Sequence, residues 1–149
     1  QSAEGLKIIH DLLPQCDVVI HNFKTGGAEK LGIGYEQLKT IKPDLIYCAV
    51  AGYDTSGPEA SRPGYDLVIQ AEAGLMALNG DANMPPLKFG VAVVDLMTGM
   101  WAAVGVLAAL ARREKCGEGE YIDLAMLDVM VATIASMSWQ TNYTCPNAH

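Results

Sequence analysis

The chain has 149 residues, of which 50% are hydrophobic and 18% are charged, and its formal net charge is -7. This length fits one domain with a buried core, and the composition is typical of a compact soluble protein rather than a disordered one. Because the chain has 17 acidic side chains but only 10 basic ones, it has no overall positive field that would attract nucleic acid or anionic lipid. We therefore expect no nucleic-acid or membrane partner.

The four cysteines and three histidines show no spacing typical of a metal site, so we predict that no metal is bound. The cysteines form no paired framework either, which favours a reduced, cytoplasmic location. One segment, Val91–Ala111, is about as long and apolar as a membrane span, but it contains Asp95, and a lone carboxylate is costly in lipid. We interpret this segment as a buried strand followed by a buried helix.

The first third of the chain predicts a strand, helical pieces and a second strand, after an opening helix that Pro14 ends. The predicted elements are a helix at Leu6–Leu13, a strand at Asp17–Ile20, a glycine-bearing loop at Asn22–Gly27, helical pieces at Ala28–Leu31 and Tyr35–Ile41, and a strand at Leu45–Val50. A βαβ unit of this kind places its two strands parallel in one sheet. Ligands of such sheets bind where the carboxyl ends of the strands meet the loops.

The rest of the chain continues the α/β pattern after a loop rich in Gly, Pro and Ser at Ala51–Gly64. The further predicted elements are a helix at Tyr65–Leu78, a loop at Gly80–Pro86, a strand at Val91–Val94, a helix at Leu96–Arg113 that Gly117 ends, a strand at Tyr121–Leu124, and an apolar helix from Ala125 to about Trp139. We predict one α/β domain over residues 1–149.

Asp95 is the most informative single residue, because it lies where the predicted strand gives way to the long helix. At the helix N-cap, its carboxylate could accept the backbone N–H groups of Met97 and Thr98, and these donors would favour the ionised form. An anionic, partly dehydrated carboxylate is suited to nucleophilic catalysis. The alternative is that Asp95 is only a stabilising helix cap, since Asp is a preferred residue there.

Two further segments carry candidate binding residues. The loop Asn22–Gly27, which leads to Lys30, offers backbone N–H groups and a cation to a phosphate, although it also fits an ordinary strand-to-helix turn. The segment that begins at Arg62 (RPGYD) opens a helix, and its Tyr65 could donate a hydrogen bond to a substrate carbonyl or only pack on the core.

Five collinear segments together resemble family III CoA-transferases of the CaiB/BaiF type. They are DVVIHNFKTGGAEKLGIGYEQL, KPDLIYCAVAGY, SGPEASRPGYDL, GVAVVDLMTGMWAAVGVLAAL and GEGEYIDLAMLDVM, in the order and spacing of that family over nearly all of the chain. The superfamily includes formyl-CoA and carnitine CoA-transferases and α-methylacyl-CoA racemases. The resemblance implies a partial Rossmann-like parallel sheet flanked by helices.

The resemblance also implies roles for single residues. Asp95 matches the aspartate that attacks an acyl-CoA and then carries CoA as an aspartyl-CoA thioester, and Tyr65 matches a tyrosine beside the acyl group. Related racemases have a histidine where Tyr65 stands, so a racemase is the less favoured alternative. The implied CoA-binding residues are Asn22, Phe23, Lys30 and Arg62, with Lys30 in place of a basic residue that is commonly arginine.

The resemblance further implies parts that this chain does not contain. Family members begin with another strand and helix of the nucleotide-binding fold, continue into a smaller domain, and form interlocked homodimers. We therefore expect this chain to be a central piece of the large domain. Its inherited substrates would be an acyl-CoA and a carboxylic acid, and we expect that it cannot assemble the complete active site alone. The alternative from another class is a non-catalytic remnant that binds CoA or a partner protein.

Overall fold

The computed structural model describes residues 2–81 and 83–144, with side chains as far as residue 135. Seven α-helices and three strands follow in the described part of the chain. In chain order they are α1 (Ala3–Leu12), β1 (Val18–His21), α2 (Gly27–Leu31), α3 (Tyr35–Lys39), β2 (Ile46–Ala51), α4 (Asp66–Glu72), α5 (Leu75–Leu78), α6 (Val93–Cys116), β3 (Glu120–Ala125) and α7 (Met126–Thr144). A 3₁₀ turn at Leu13–Gln15 follows α1.

The three strands form one parallel sheet in the order β1-β2-β3, which confirms the predicted fold class. Val18 pairs with Ile46 and Ile46 with Glu120, so all three strands run in register from the same edge. Parallel neighbours need crossover connections, and here α2 and α3 join β1 to β2 while α4, α5 and α6 join β2 to β3. The carboxyl ends of β1, β2 and β3 therefore open on one edge of the sheet.

Two apolar clusters lie on opposite faces of β2, as expected for a sheet covered on both sides. One contains Tyr47 and Ala49 of β2, packed with Leu13, Leu38 and Leu45. The other joins α4, α6 and α7 through Tyr53, Ile69, Val94, Met126, Met130 and Ile134. Helix α6 packs on this second face, where a Cβ at Gly105 would be in ordinary van der Waals contact with Ile122 of β3, at 3.5 Å.

The predicted strand at Val91–Val94 is wrong, because helix α6 begins at Val93. The paired valines suggested an extended segment, but the carboxylate of Asp66 accepts backbone N–H groups at the helix start and stabilises it. The predicted helix at Tyr65–Leu78 is also interrupted. Gly74, with a φ of 86°, ends α4 and begins α5, because this left-handed conformation breaks an α-helix.

Helix α6 is anchored at its carboxyl end by Arg113. The guanidinium of Arg113 donates to Oδ1 of Asp17 at 2.7 Å and to the carbonyl of Asp44 at 3.2 Å, just before β1 and β2.

Helix α6 is also long and apolar enough to cross a membrane by length and composition, and 22% of its most apolar stretch is buried. The prediction that this segment is a buried helix is therefore only partly confirmed, since one face of α6 is exposed.

Candidate active site

A cleft of about 1040 Å³ lies at the edge of the sheet where β1 and β2 end, between the β1–α2 loop and helix α6. Its walls come from residues after β1, from the end of β2, from the segment that precedes α4, and from one face of α6. This is the position at which open parallel sheets bind their ligands. The described residues that line it include His21, Asn22, Phe23, Lys24, Gly52, Arg62, Tyr65, Asp66, Asp95, Gly99 and Ala103.

Five of the six candidate residues from the sequence line this one cleft. Asn22 and Phe23 lie on the β1–α2 loop, Arg62 and Tyr65 precede α4, and Asp95 lies on α6. The sixth candidate, Lys30, is in the last turn of α2 and is not among the described residues that line the cleft. The fold therefore brings together residues that are 73 positions apart in the chain.

Asp95 lies in the first turn of α6, but it is not the N-cap, so the predicted capping role is wrong. The N-cap position belongs to Ala92, whose side chain cannot accept a hydrogen bond. The acceptor is Asp66 at the start of α4, whose Oδ1 receives the backbone N–H of Val94 at 2.7 Å and that of Asp95 at 3.2 Å. Because Asp66 takes this position, the side chain of Asp95 is exposed toward the cleft.

The pKa of Asp95 is raised above its ordinary value, mainly because its carboxyl is partly buried and also because the charge of Asp66 is close. The expectation that helix donors would favour its ionised form is therefore wrong. A carboxyl group that is partly removed from water and faces a second carboxylate holds its proton more tightly. The Asp95 anion is consequently more basic than an ordinary aspartate, and basicity favours nucleophilic attack.

Gln70 holds the residues around the start of α6 in place. Its side chain is 1% exposed, and its Nε2 donates to Oδ2 of Asp66 at 2.5 Å and to the carbonyl of Val91 at 3.4 Å. Its Oε1 accepts the backbone N–H of Phe89 at 2.8 Å. A buried amide with both ends satisfied fixes its neighbours, because any displacement leaves polar groups unpaired.

Tyr65 follows a close contact between two glycine backbones. A Cβ on Gly52 would lie 2.3 Å from the Cα of Gly64, and one on Gly64 would lie 2.2 Å from the Cα of Gly52. The segment that precedes α4 thus packs directly on the end of β2, at a distance that only glycine permits. Tyr65 is 64% exposed and lines the cleft, so a ligand bound there can contact its side chain.

Arg62 lines the cleft, but its guanidinium already has partners. It donates to Glu59 Oε2 at 2.8 Å and to Glu72, and it lies 4.6 Å above the ring of the buried Tyr53. The Tyr53 hydroxyl also donates to Glu72, at 2.8 Å. The hydrogen bond from Arg62 is the main cause of the lowered pKa of Glu72. An anionic ligand would have to displace these carboxylates to bind Arg62.

His21 also lines the cleft, and sequence reasoning assigned it no function. Its Nδ1 accepts the backbone N–H of Phe23 at 3.1 Å, and its ring stacks on that of Phe23 at 5.2 Å. Burial lowers the pKa of His21, which favours the neutral ring. His21 therefore shapes the β1–α2 loop and fixes the ring of Phe23 at the cleft. The only signal in the sequence was its place directly after a predicted strand.

Comparison with known proteins places these observations in one family. The model of CoA-transferase family III matches residues 1–148. Over 138 residues the chain is 40% identical to a succinate–glutarate CoA-transferase of Agrobacterium fabrum and 44% identical to a succinyl-CoA:mesaconate CoA-transferase of Haloarcula hispanica, covering 93% and 90% of this chain. It covers 34% of each relative, so the chain spans about a third of their length.

A solved structure supports the same assignment. A CaiB/BaiF family protein from Brucella suis superposes with a TM-score of 0.91 at 40% identity, over 96% of this chain and 38% of that one. The family match over nearly the whole chain and this common fold agree with the resemblance of its motifs. The chain therefore belongs to CoA-transferase family III, of the CaiB/BaiF type.

Proposed function

We propose that this chain carries the nucleophile and part of the CoA pocket of an enzyme that moves CoA between an acyl-CoA and a carboxylic acid. The observation that carries the proposal is the position of Asp95, whose carboxyl group is exposed to the cleft while its pKa is raised. The relatives are named for succinate, glutarate and mesaconate. We infer that short dicarboxylic acids and their CoA thioesters are the first substrates to test.

In the proposed reaction, an oxygen of the Asp95 carboxylate attacks the thioester carbonyl of the donor and releases CoA thiolate, which leaves a mixed anhydride. The thiolate then attacks the carbonyl of Asp95 in that anhydride, which releases the donor acid and forms aspartyl-CoA. The acceptor carboxylate attacks this thioester to give a second anhydride and free thiolate. The thiolate finally attacks the acyl carbonyl, which yields the new acyl-CoA and restores Asp95.

The other residues of the cleft bind and orient in this scheme. Tyr65 donates its hydroxyl proton as a hydrogen bond to the thioester oxygen, and Asn22 and Phe23 contact the CoA chain, consistent with their position on the facing loop. Lys24, which also lines the cleft, and Lys30 on α2 supply positive charge for the CoA phosphates. Arg62 contributes only if ligand binding releases it from Glu59 and Glu72.

The first half of this reaction can be trapped in the chain itself. The chain is incubated with succinyl-CoA and hydroxylamine, which converts an aspartyl anhydride or thioester to a hydroxamate. Trypsin cleavage after Lys88 and Arg112 then yields residues 89–112, in which Asp95 is the single acidic side chain. We expect the hydroxamate mass on this peptide, none for Asp95→Asn, and full yield for the control Asp11→Asn on α1.

Two alternatives predict different results in simple assays. A CoA-binding remnant without turnover would bind CoA in a titration but form no hydroxamate. A racemase would exchange the α-proton of a 2-methylacyl-CoA for deuterium in D₂O, whereas a transferase would not. Absence of the hydroxamate from wild-type chain, or its presence in Asp95→Asn, contradicts the proposed reaction.

We further propose that the chain acts as a homodimer. Large apolar side chains are exposed along α6, among them Leu96, Met100, Trp101, Val104 and Leu107. Apolar patches of this kind mark association surfaces in soluble proteins. Light scattering on the purified chain tests the proposal, and a mass that stays at the monomer value as the protein concentration is raised would contradict it.

A further inference from the structure

We propose that Asp66 is a positioning residue for Asp95. The carboxylate of Asp66 fixes the first turn of α6, and its negative charge disfavours the Asp95 anion, which acylation converts to a neutral group. This inference rests on the proposed role of Asp95 as the nucleophile. Its basis is the hydrogen bonding between α4 and α6, which places Asp66 beside Asp95 although the two residues are 29 positions apart in the chain.

The backbone at the start of α6 is held by Asp66. The first N–H groups of a helix lack partners within the helix, and Ala92 at the N-cap offers no side-chain acceptor. Oδ1 of Asp66 takes two of these groups, from Val94 and from Asp95 itself. Hydrogen bonds of N–H to a carboxylate are stronger than neutral ones. The Cα of Asp95 is therefore fixed relative to α4.

Asp66 is itself held in place by Gln70. Its Oδ2 is bound by Gln70, one turn later on α4, and Gln70 also bonds the backbone of Phe89 and Val91 ahead of α6. Tyr65 is the residue directly before Asp66. The same unit thus sets the position of Asp95 and that of the tyrosine proposed to contact the thioester oxygen. Small displacements between such groups are costly to a reaction rate.

The charge of Asp66 also acts on Asp95. Asp66 faces Asp95 across this contact and contributes to the raised pKa of Asp95. Acylation converts the Asp95 anion to a neutral anhydride or thioester, so the repulsion is present before attack and absent afterwards. The other titratable or charged residues that line the cleft are His21, Lys24, Arg62 and Tyr65. Of these, Arg62 is paired with Glu59 and Glu72.

Two variants separate the two roles of Asp66. Asp66→Asn can still turn an oxygen toward Val94 and Asp95 but carries no charge, and it gives up the bond from Gln70. Asp66→Ala removes both acceptor and charge. A matched control is Asp81→Asn, because Asp81 also accepts a backbone N–H, from Asn83 at 3.0 Å, but lies in a loop outside the cleft lining.

The decisive readout is the pKa of Asp95, measured from the pH dependence of its ¹³C carboxyl resonance and assigned by the loss of that resonance in Asp95→Asn. We expect the pKa of Asp95 to fall in Asp66→Asn and to stay at the wild-type value in Asp81→Asn. An unchanged Asp95 pKa in Asp66→Asn would overturn the charge role. This titration requires no catalysis, so its result does not depend on the proposed reaction.

The second readout is the rate of hydroxamate formation on residues 89–112. We expect Asp66→Ala to reduce it by about 10- to 100-fold, in line with the cost of misplaced reacting groups. Asp66→Asn should recover most of that loss and shift the acidic limb of the pH profile to lower pH. A wild-type rate in Asp66→Ala would overturn the positioning role. If Asp66→Ala does not fold, an Asp66→Asn profile with an unshifted acidic limb overturns the proposal.

Discussion

The backbone N–H of Asp95 donates to the carboxylate of Asp66 at 3.2 Å, although the two residues are 29 positions apart in the chain. This contact leaves the side chain of Asp95 free to point into the cleft, because another residue takes the acceptor role at the helix start. It also places two acidic side chains together, which raises the pKa of the one proposed as nucleophile. The unfavourable proximity of the two acidic groups thus lies at Asp95, the residue proposed to react.

The raised pKa of Asp95 predicts that this residue reduces stability at neutral pH. A folded-state pKa above the unfolded value means that the folded state binds the proton more tightly, so stability falls as pH rises through the folded pKa. Asp95→Asn should therefore unfold at higher denaturant concentration than wild type at about pH 7, and this advantage should shrink toward about pH 4. Asp11→Asn, on the exposed face of α1, should show no such gain. An advantage that grows on acidification would contradict the assigned direction.

The close backbone contact between Gly52 and Gly64, just before Tyr65, predicts that one added methyl group lowers the stability of the fold. Gly52→Ala or Gly64→Ala would place a Cβ within 2.3 Å of backbone atoms, and we expect a loss of about 1–3 kcal/mol in the free energy of unfolding. Gly90→Ala is the matched control, because a Cβ there meets nothing within 4 Å. Denaturant titration measures all three, and equal stabilities would show that the contact tolerates a side chain.

Gly99 offers a way to fill the cleft without disturbing the core. It lies one turn after Asp95, lines the cleft, and a Cβ there meets nothing within 4 Å. Gly99→Ala should stabilise α6 by about 0.5–1 kcal/mol, the usual gain from replacing glycine inside a helix. Gly99→Leu should weaken CoA binding by about tenfold or more, equal to about 1.4 kcal/mol. Calorimetric titration with CoA tests this, and unchanged affinity in Gly99→Leu would place CoA elsewhere.

Lys24 and Arg62 should behave differently when each is changed to Ala. Lys24→Ala should weaken CoA binding by about two- to fivefold, the range of an exposed ion pair, and should reduce the salt dependence of binding. Arg62→Ala should lower the thermal midpoint, because Glu59, Glu72 and the face of Tyr53 lose their common partner. Calorimetry and thermal unfolding on both variants separate the roles. A drop in CoA affinity in Arg62→Ala without loss of stability would restore Arg62 as a CoA-binding residue.

The sequence predicted the parallel sheet well because its signals are local. The apolar runs at β1, β2 and β3 are short, bounded by turn residues, and separated by helical segments, and each strand lies within two residues of its expected bounds. The convergence of Asn22, Phe23 and Tyr65 on one cleft was also predictable, since a parallel sheet gathers the loops after its strands at one edge. Asp95 reaches the same cleft from the first turn of α6 and not from the end of a strand.

The start of α6 was not predictable from its own residues. Val93 and Val94 favour an extended conformation locally, and the acceptor that stabilises the helix comes from Asp66, far earlier in the chain. The role of Gln70 depends on burial, which no local pattern reveals for a polar residue within a helix. These failures occur at the contact between α4 and α6, where tertiary hydrogen bonds rather than propensity decide the structure.

The exchange of oxygen into Asp95 tests the nucleophile assignment most directly. Formation of aspartyl-CoA from succinyl-CoA releases succinate, and reversal in the presence of ¹⁸O-labelled succinate leaves a labelled oxygen in the restored carboxylate. The account predicts that residues 89–112, with Asp95 as the single acidic side chain, gain the mass of ¹⁸O in wild type and not in the absence of succinyl-CoA. The assignment of Asp95 as the nucleophile would be contradicted if succinate exchanges with succinyl-CoA but residues 89–112 gain no ¹⁸O. It would also be contradicted if the ¹⁸O appears on another peptide.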